Sequence, residues 1–216
     1  MYSYKKIIYI ILTVIVFHGC TTGTKDAFKE GWNATYVGDD LVIQFGCTKK
    51  TYLTASREGD ESNISIKVHM SPYQDEPYIG YSKHKLLVKI TGPSPNSIVS
   101  ADIKELLIHH GYRVVVDSQL AQIIINPRFL GIRSDQVSGF AKIKTTSHVG
   151  LIIRVLQKDE VVWYKEFIES DEQEGYTAVY TEMEEGVDRA YCKVLEDIDK
   201  ALLSKEFQTV INREVQ

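Results

Sequence analysis

Residues 148–170 read "HVGLIIRVLQKDEVVWYKEFIES". Two runs rich in Val, Ile, Leu, Trp, Tyr and Phe, "HVGLIIRVLQ" and "VVWYKEFIES", flank the polar triplet Lys158-Asp159-Glu160. Branched and aromatic side chains fit a pleated, half-buried surface, and a short polar break between two such runs marks an antiparallel hairpin. A hairpin needs a cover for its apolar face. The cover follows in the sequence. Between Thr177 and Leu203, the residues Val179, Met183, Val187, Tyr191, Val194, Ile198 and Leu202 step by three or four, the single stripe of a long helix.

The same reading extends toward the N-terminus. "QIIINPRFLGIRSD" (122–135) is a long strand, with Pro127 marking a bulge or an edge, and "YRVVVD" (112–117) reads as a buried strand. A helix precedes it through His110, capped by Ser97 or Asn96. Its face carries Ile98, Val99, Ile103, Leu106, Leu107 and His110, and Gly111 is its stop. Further back, "KLLVKIT" (85–91), "NISIKVHM" (63–70) and "LVIQFGC" (41–47) read as strands. "SPYQDEPYIGYSKH" (71–84) reads as a long loop. The order predicts an α+β fold, a mostly antiparallel sheet with two helices packed on one face. One such domain is expected over residues 41–207, with a C-terminal tail at 208–216.

The first nineteen residues differ in kind. Lys5 and Lys6 precede Ile7–Phe17, eleven residues that are apolar except for Thr13, and the run stops at Gly19-Cys20. It is shorter than the roughly 18–20 residues a membrane span needs and has the layout of a secretory signal. "VFHGC" (16–20) resembles the bacterial lipobox. Phe17 and His18 depart from the usual Leu and small residue, while Gly19 and Cys20 fit. The resemblance implies cleavage between Gly19 and Cys20 and a lipid on the Cys20 sulfur, so that the chain meets the membrane through Cys20. Thr21, where enterobacterial lipoproteins retained in the inner membrane carry Asp, implies the outer membrane. Residues 1–19 are then a signal peptide, and polar residues 20–40 are the lipidated N-terminus and tether.

Losing residues 1–19 removes Lys5 and Lys6 and no acidic residue, taking the formal charge of the 216-residue chain from −4 to −6 and leaving 197 residues. No basic run remains, so no nucleic-acid partner is expected. Beyond Cys20, two cysteines are left. Cys47 and Cys192 either form a disulfide, which an oxidising compartment permits, or are two buried thiols. No cofactor other than the covalent lipid at Cys20 is expected, and no metal. His109 and His110 are adjacent on a helix and point about 100° apart, so they cannot chelate one ion from one face. His110 is expected to be partly buried and His109 solvated. The acidic runs "SDEQE" (170–174) and "EMEEG" (182–186) lack the alternation of a calcium loop and read as a solvated linker and helix start. No nucleophile motif or phosphate loop occurs, so no catalytic residue is assigned. Among thirteen tyrosines, Tyr73, Tyr78 and Tyr81 cluster in the 71–84 loop and are the candidate interaction surface.

"ELLIHHGYRVV", "AQIIINPRFLGI", the "VGLIIRVLQKDEVVWYKEFIES" hairpin and the terminal helix together make residues 105–207 similar to the YajG family of outer-membrane lipoproteins. The Gly-Tyr-strand feature also resembles the TraT surface-exclusion lipoproteins, whose glycine-rich apolar segment this chain lacks. The resemblance implies a lipid-anchored, periplasm-facing domain without a catalytic signature. The expected function is that of a non-enzymatic envelope lipoprotein binding another protein or peptidoglycan. The alternatives are a surface-displayed adhesin or TraT-like exclusion factor and, last, an envelope hydrolase.

Overall fold

The computed structural model describes residues 35–37, 40–50, 62–71, 78–82, 86–176 and 180–212. The hairpin at its centre turns on Lys158-Asp159, both with positive φ (50° and 66°). Two consecutive left-handed residues make the turn whose twist matches that of paired strands. Glu160 is therefore a strand residue, opposite Gln157. The strands are longer than the apolar runs: β8 spans Ile143–Gln157 and β9 spans Glu160–Gly175. With β7, Ile123–Ser138, they form an antiparallel meander.

The other strands are β1 (Thr35–Val37), β2 (Asp40–Gln44), β3 (Ser62–Val68), β4 (Tyr78–Tyr81), β5 (Leu87–Thr91) and β6 (Tyr112–Val114). They divide between two sheets, β1-β2-β5-β4 and β6-β3-β7-β8-β9. Strands β2 and β5 pair in parallel, as do β3 and β6 and β3 and β7. The fold is α+β, as the order of elements predicts, with mixed sheets, two in number. Along "NISIKVHM", Ile64, Ile66 and Val68 are buried; on the other face His69 is exposed, but Ser65 is buried as well. "YRVVVD" behaves otherwise. Its strand ends at Val114, and Val116 is almost fully exposed.

Pro127 lies inside β7, at a point where the flank of that strand toward β3 is already an edge. Its carbonyl accepts from the Ser71 N–H at 2.9 Å, on the side where the ladder to β3 has ended at Val68. N–H and C=O of one strand residue point the same way, so its missing donor faces this side and the pairing to β8 is undisturbed. Three residues on, Leu130 is a bulge, the extra residue between the Phe129–Leu151 and Gly131–Gly150 pairs. Before it, Ile123, Ile125 and Phe129 are buried; after it, Ile132, Ser134 and Gln136 are. The extra residue shifts the alternation by one.

Helix α1 runs over Pro95–His109. Its cap is Ser94, whose hydroxyl accepts from the Ser97 N–H, with Pro95 in the first turn. Ser97 and Asn96 therefore lie within the helix. Gly111, at φ 77°, takes the left-handed position that ends it. Helix α2, Tyr180–Leu202, covers β8 and β9; Met183, Val187, Tyr191, Val194, Ile198 and Leu202 are all buried, and Val179 lies outside the described residues. A third helix, α3 (Lys205–Asn212), occupies part of the expected tail. It buries Phe207 and Ile211, and Phe207 meets Trp163 of β9 edge-on at 5.3 Å. No described helix is long and apolar enough to cross a membrane.

Candidate functional site

Side chains capable of chemistry gather where α1, α2 and residues 45–50 meet. Phe45 lies 4.5 Å from the Tyr191 ring and 5.8 Å from that of Phe129, which seats the chain after β2 on the core. The next residues bind α2. The Thr48 N–H and hydroxyl donate to the two carboxylate oxygens of Asp188 at 2.7 and 3.1 Å. Cys47 and Cys192 are joined as a disulfide, with Cα atoms 5.1 Å apart. Lys50 then reaches α1, pairing with Glu105 and lying 3.5 Å from Asp102.

Two polar rungs cross from α1 to α2. The Tyr191 hydroxyl donates to Asp102 at 2.9 Å, and His110 Nε2 lies 2.6 Å from Asp199 Oδ1. Burial pushes the Asp102 carboxyl above the ordinary aspartate value, opposed by the Tyr191 hydroxyl and by Lys50. The His110–Asp199 pair is enclosed: His110 is 1% exposed and Asp199 7%. Among the described residues no hydroxyl or thiol bonds to His110, and its Nδ1 is buried without a partner. Buried and bonded to each other, His110 and Asp199 tie the end of α1 to α2. The neighbouring His109 is half-buried, with its Nε2 inside, rather than solvated. Among the described residues no cluster of His, Cys, Asp and Glu could hold a metal ion.

The remaining candidates fall elsewhere. Cys20, Gly19 and Tyr73 lie outside the described residues, as does the Tyr78 side chain. Part of the 71–84 segment is strand rather than loop. β4 pairs with β5 and crosses β7 so closely that a Cβ on Gly80 would sit 1.8 Å from the Ser134 carbonyl oxygen. Tyr81 donates its N–H to Asp135 at 3.1 Å and leaves its side chain 54% exposed. The "SDEQE" run is corrected too. Residues 171–175 belong to β9, and Asp171 accepts from Arg189 at 3.0 Å and Lys193 at 3.3 Å. Asp171 thus serves the packing of α2, while Glu172 and Glu174 pair with Lys144 and Lys142. A cavity of about 320 Å³ opens at the turn end of the meander, lined by Ile64, Ile123 and Ile211 with Gln122, Gln157 and Lys158.

The sequence could not place the rungs, because each joins residues 89 apart. The one signal was His110, which falls on the apolar face of its helix.

No protein-family model and no curated protein matches the chain. Solved structures similar to it include a Xanthomonas campestris protein of the family DUF330, 11% identical, with a TM-score of 0.48 over 81% of this chain and 97% of that one. A Helicobacter pylori protein described as a homologue of a neuraminyllactose-binding hemagglutinin is 13% identical, with a TM-score of 0.46 over 76% and 97%. A minor lipoprotein of Acinetobacter baumannii is 12% identical, with a TM-score of 0.37 over 69% and 94%.

Proposed function

We propose that the chain is a bacterial envelope lipoprotein, held to the membrane by lipid on Cys20 and acting by contact rather than by catalysis. The observation that carries this reading is the N-terminal sequence. Lys5 and Lys6, the apolar run Ile7–Phe17 and Gly19-Cys20 put a thiol at the one position where lipoprotein processing needs it. Kinship with the YajG family over residues 105–207 and placement in the outer membrane, facing the periplasm, belong to the same proposal. The partner is a protein or peptidoglycan of the envelope. The exposed ring of Tyr81 supports an aromatic contact surface, for which the sequence also offers Tyr73 and Tyr78.

Labelling cells with a radioactive fatty acid tests the anchor. The wild-type chain is expected to carry label and to sediment with membranes, and Cys20→Ser to do neither. Equal label on both chains would overturn the reading.

A further inference from the structure

At the end of the meander remote from the Lys158-Asp159 turn, β7 and β8 join through Gly139-Phe140-Ala141-Lys142, closed by a Gly139 N–H to Lys142 carbonyl bond of 2.7 Å. Phe140 stands at the tip with a relative exposure of 110%, that of a side chain touching nothing around it. It has company. Val137 is 66% exposed, and Tyr176, the residue after β9, is 80% exposed. The last rung of the sheet aligns Ser138, Ile143 and Gly175, so all three apolar side chains lie within two residues of that rung. Folding leaves single apolar residues at the surface often, but seldom a phenylalanine on a turn with two more at its flanks.

The charges around the tip are arranged to cancel. Lys142 pairs with Glu174 at 2.8 Å and Lys144 with Glu172 at 2.9 Å, each across the β8–β9 ladder. A convex apolar tip with its charges balanced suits a fluid apolar phase more than a shaped protein pocket. We infer that this tip enters the interface of a lipid bilayer, a second membrane contact for a chain whose first is the lipid on Cys20; the inference rests on the proposed envelope location. Depth agrees with chemistry. Strand residues advance about 3.3 Å each, so Lys142 and Lys144 sit up to roughly 7 and 13 Å behind Phe140. Interfacial segments bury their apolar side by about 5–10 Å, which brings Lys142 to headgroup level with Phe140 among the acyl chains and leaves Lys144 on the water side of it. Tyr176, apolar in body and polar at the tip, is an interface residue by the same logic. At that depth a lipid phosphate can replace Glu174 as the partner of Lys142.

The test places a reporter at the tip. The full chain carrying Phe140→Trp is reconstituted on vesicles of phosphatidylethanolamine and phosphatidylglycerol with brominated acyl chains. The parent chain, whose tryptophans are Trp32 and Trp163, supplies the background. Emission from residue 140 is expected to move to shorter wavelength and to fall at least twofold. Adding Val137→Asp and Tyr176→Asp is expected to abolish both effects. Unquenched emission from residue 140 overturns the inference, as does quenching that survives the two aspartates. Label at Cys20, read on the same samples, keeps the two readings apart. A labelled chain with an unquenched residue 140 overturns the tip alone. An unlabelled chain with a quenched residue 140 overturns the anchor and leaves the tip standing.

Discussion

The two halves of the β7–β8–β9 meander share their strands and their covering helix, and they differ in what lines the face beneath α2. Near the Lys158-Asp159 turn the rungs are Ile125–Val155–Trp163 and Phe129–Leu151–Phe167. Beyond the Leu130 bulge they become Ser134–Ser147–Asp171 and Gln136–Thr145–Gln173. Leu151, Ser134 and Ser147 are each 0% exposed, and Gln136 and Thr145 are buried, while Asp171 and Gln173 on β9 are half-buried. The far half can be polar because its groups are partnered. The Ser134 and Ser147 hydroxyls meet at 2.8 Å, Gln136 donates to Thr145 at 3.2 Å, and Thr145 donates to Glu182 at 3.2 Å. α2 matches this change along its own length. Leu195 and Ile198 are buried in its second half, while Glu182, Gly186 and Arg189 face the polar rungs from its first. One sheet thus has two kinds of interior, one held by the release of water from apolar surface and the other by directional bonds.

The first test of that contrast is Leu151→Ala. Removing a side chain enclosed between the Phe129 and Phe167 rungs is expected to cost about 2–5 kcal/mol in urea denaturation. A loss below about 1 kcal/mol would mean that the apolar half is not where stability resides. A smaller effect is expected at Gly186. A Cβ there would lie 2.5 Å from Ser147 Oγ and 3.2 Å from Ser147 Cβ. Gly186→Ala is therefore expected to cost about 1–3 kcal/mol. Combining it with Ser147→Ala should recover only part of the loss, since the contact to Cβ remains. Full stability in the single variant would show that α2 does not press on the polar rungs.

The smallest effect sharpens the comparison most. Ser134→Ala strands the Ser147 hydroxyl away from water and is expected to cost about 1 kcal/mol, whereas the Ser134→Ala/Ser147→Ala pair should be nearly neutral. Leu151→Ala combined with Phe129→Ala should show no such recovery. A double-mutant cycle by chemical denaturation measures both, and additive serine losses would dissolve the distinction between the halves.

The sequence was legible in proportion to how apolar each half is. "HVGLIIRVLQ" and "VVWYKEFIES" declare their period within ten residues each. "KIKTTS" before them and "DEQEG" after them continue the same strands but hide it. After Ile143, the residues that turn toward α2 are Thr145, Ser147, Asp171 and Gln173, types that ordinarily face water. What turns them inward is the helix side they meet, Gly186 with Arg189 and Lys193, and that match is tertiary. For α3 a local hint existed, since Phe207 and Ile211 stand four apart, but eight residues give the stripe little length. Cys47 and Cys192 were visible as chemistry, yet their pairing is a fact of the fold. Phe140 was only one apolar residue in a loop until the strands around it placed Val137 and Tyr176 at its sides.

The Cys47–Cys192 bond spans 145 positions of sequence. In mechanical terms it is a bypass. Tension applied to the two ends of the described chain runs from Thr35 along β1 and β2 to Cys47, crosses two sulfur atoms, and leaves through the end of α2 and through α3. The strands β3 to β9 and helix α1 hang on this path as a closed ring, sheltered from the load. Without the bond the same pull would pay the ring out as extended chain, at up to about 3.5 Å per residue roughly 500 Å of slack. The ring also holds its contents against a cut. A single break of the backbone anywhere between the two cysteines opens the ring but leaves one covalent molecule.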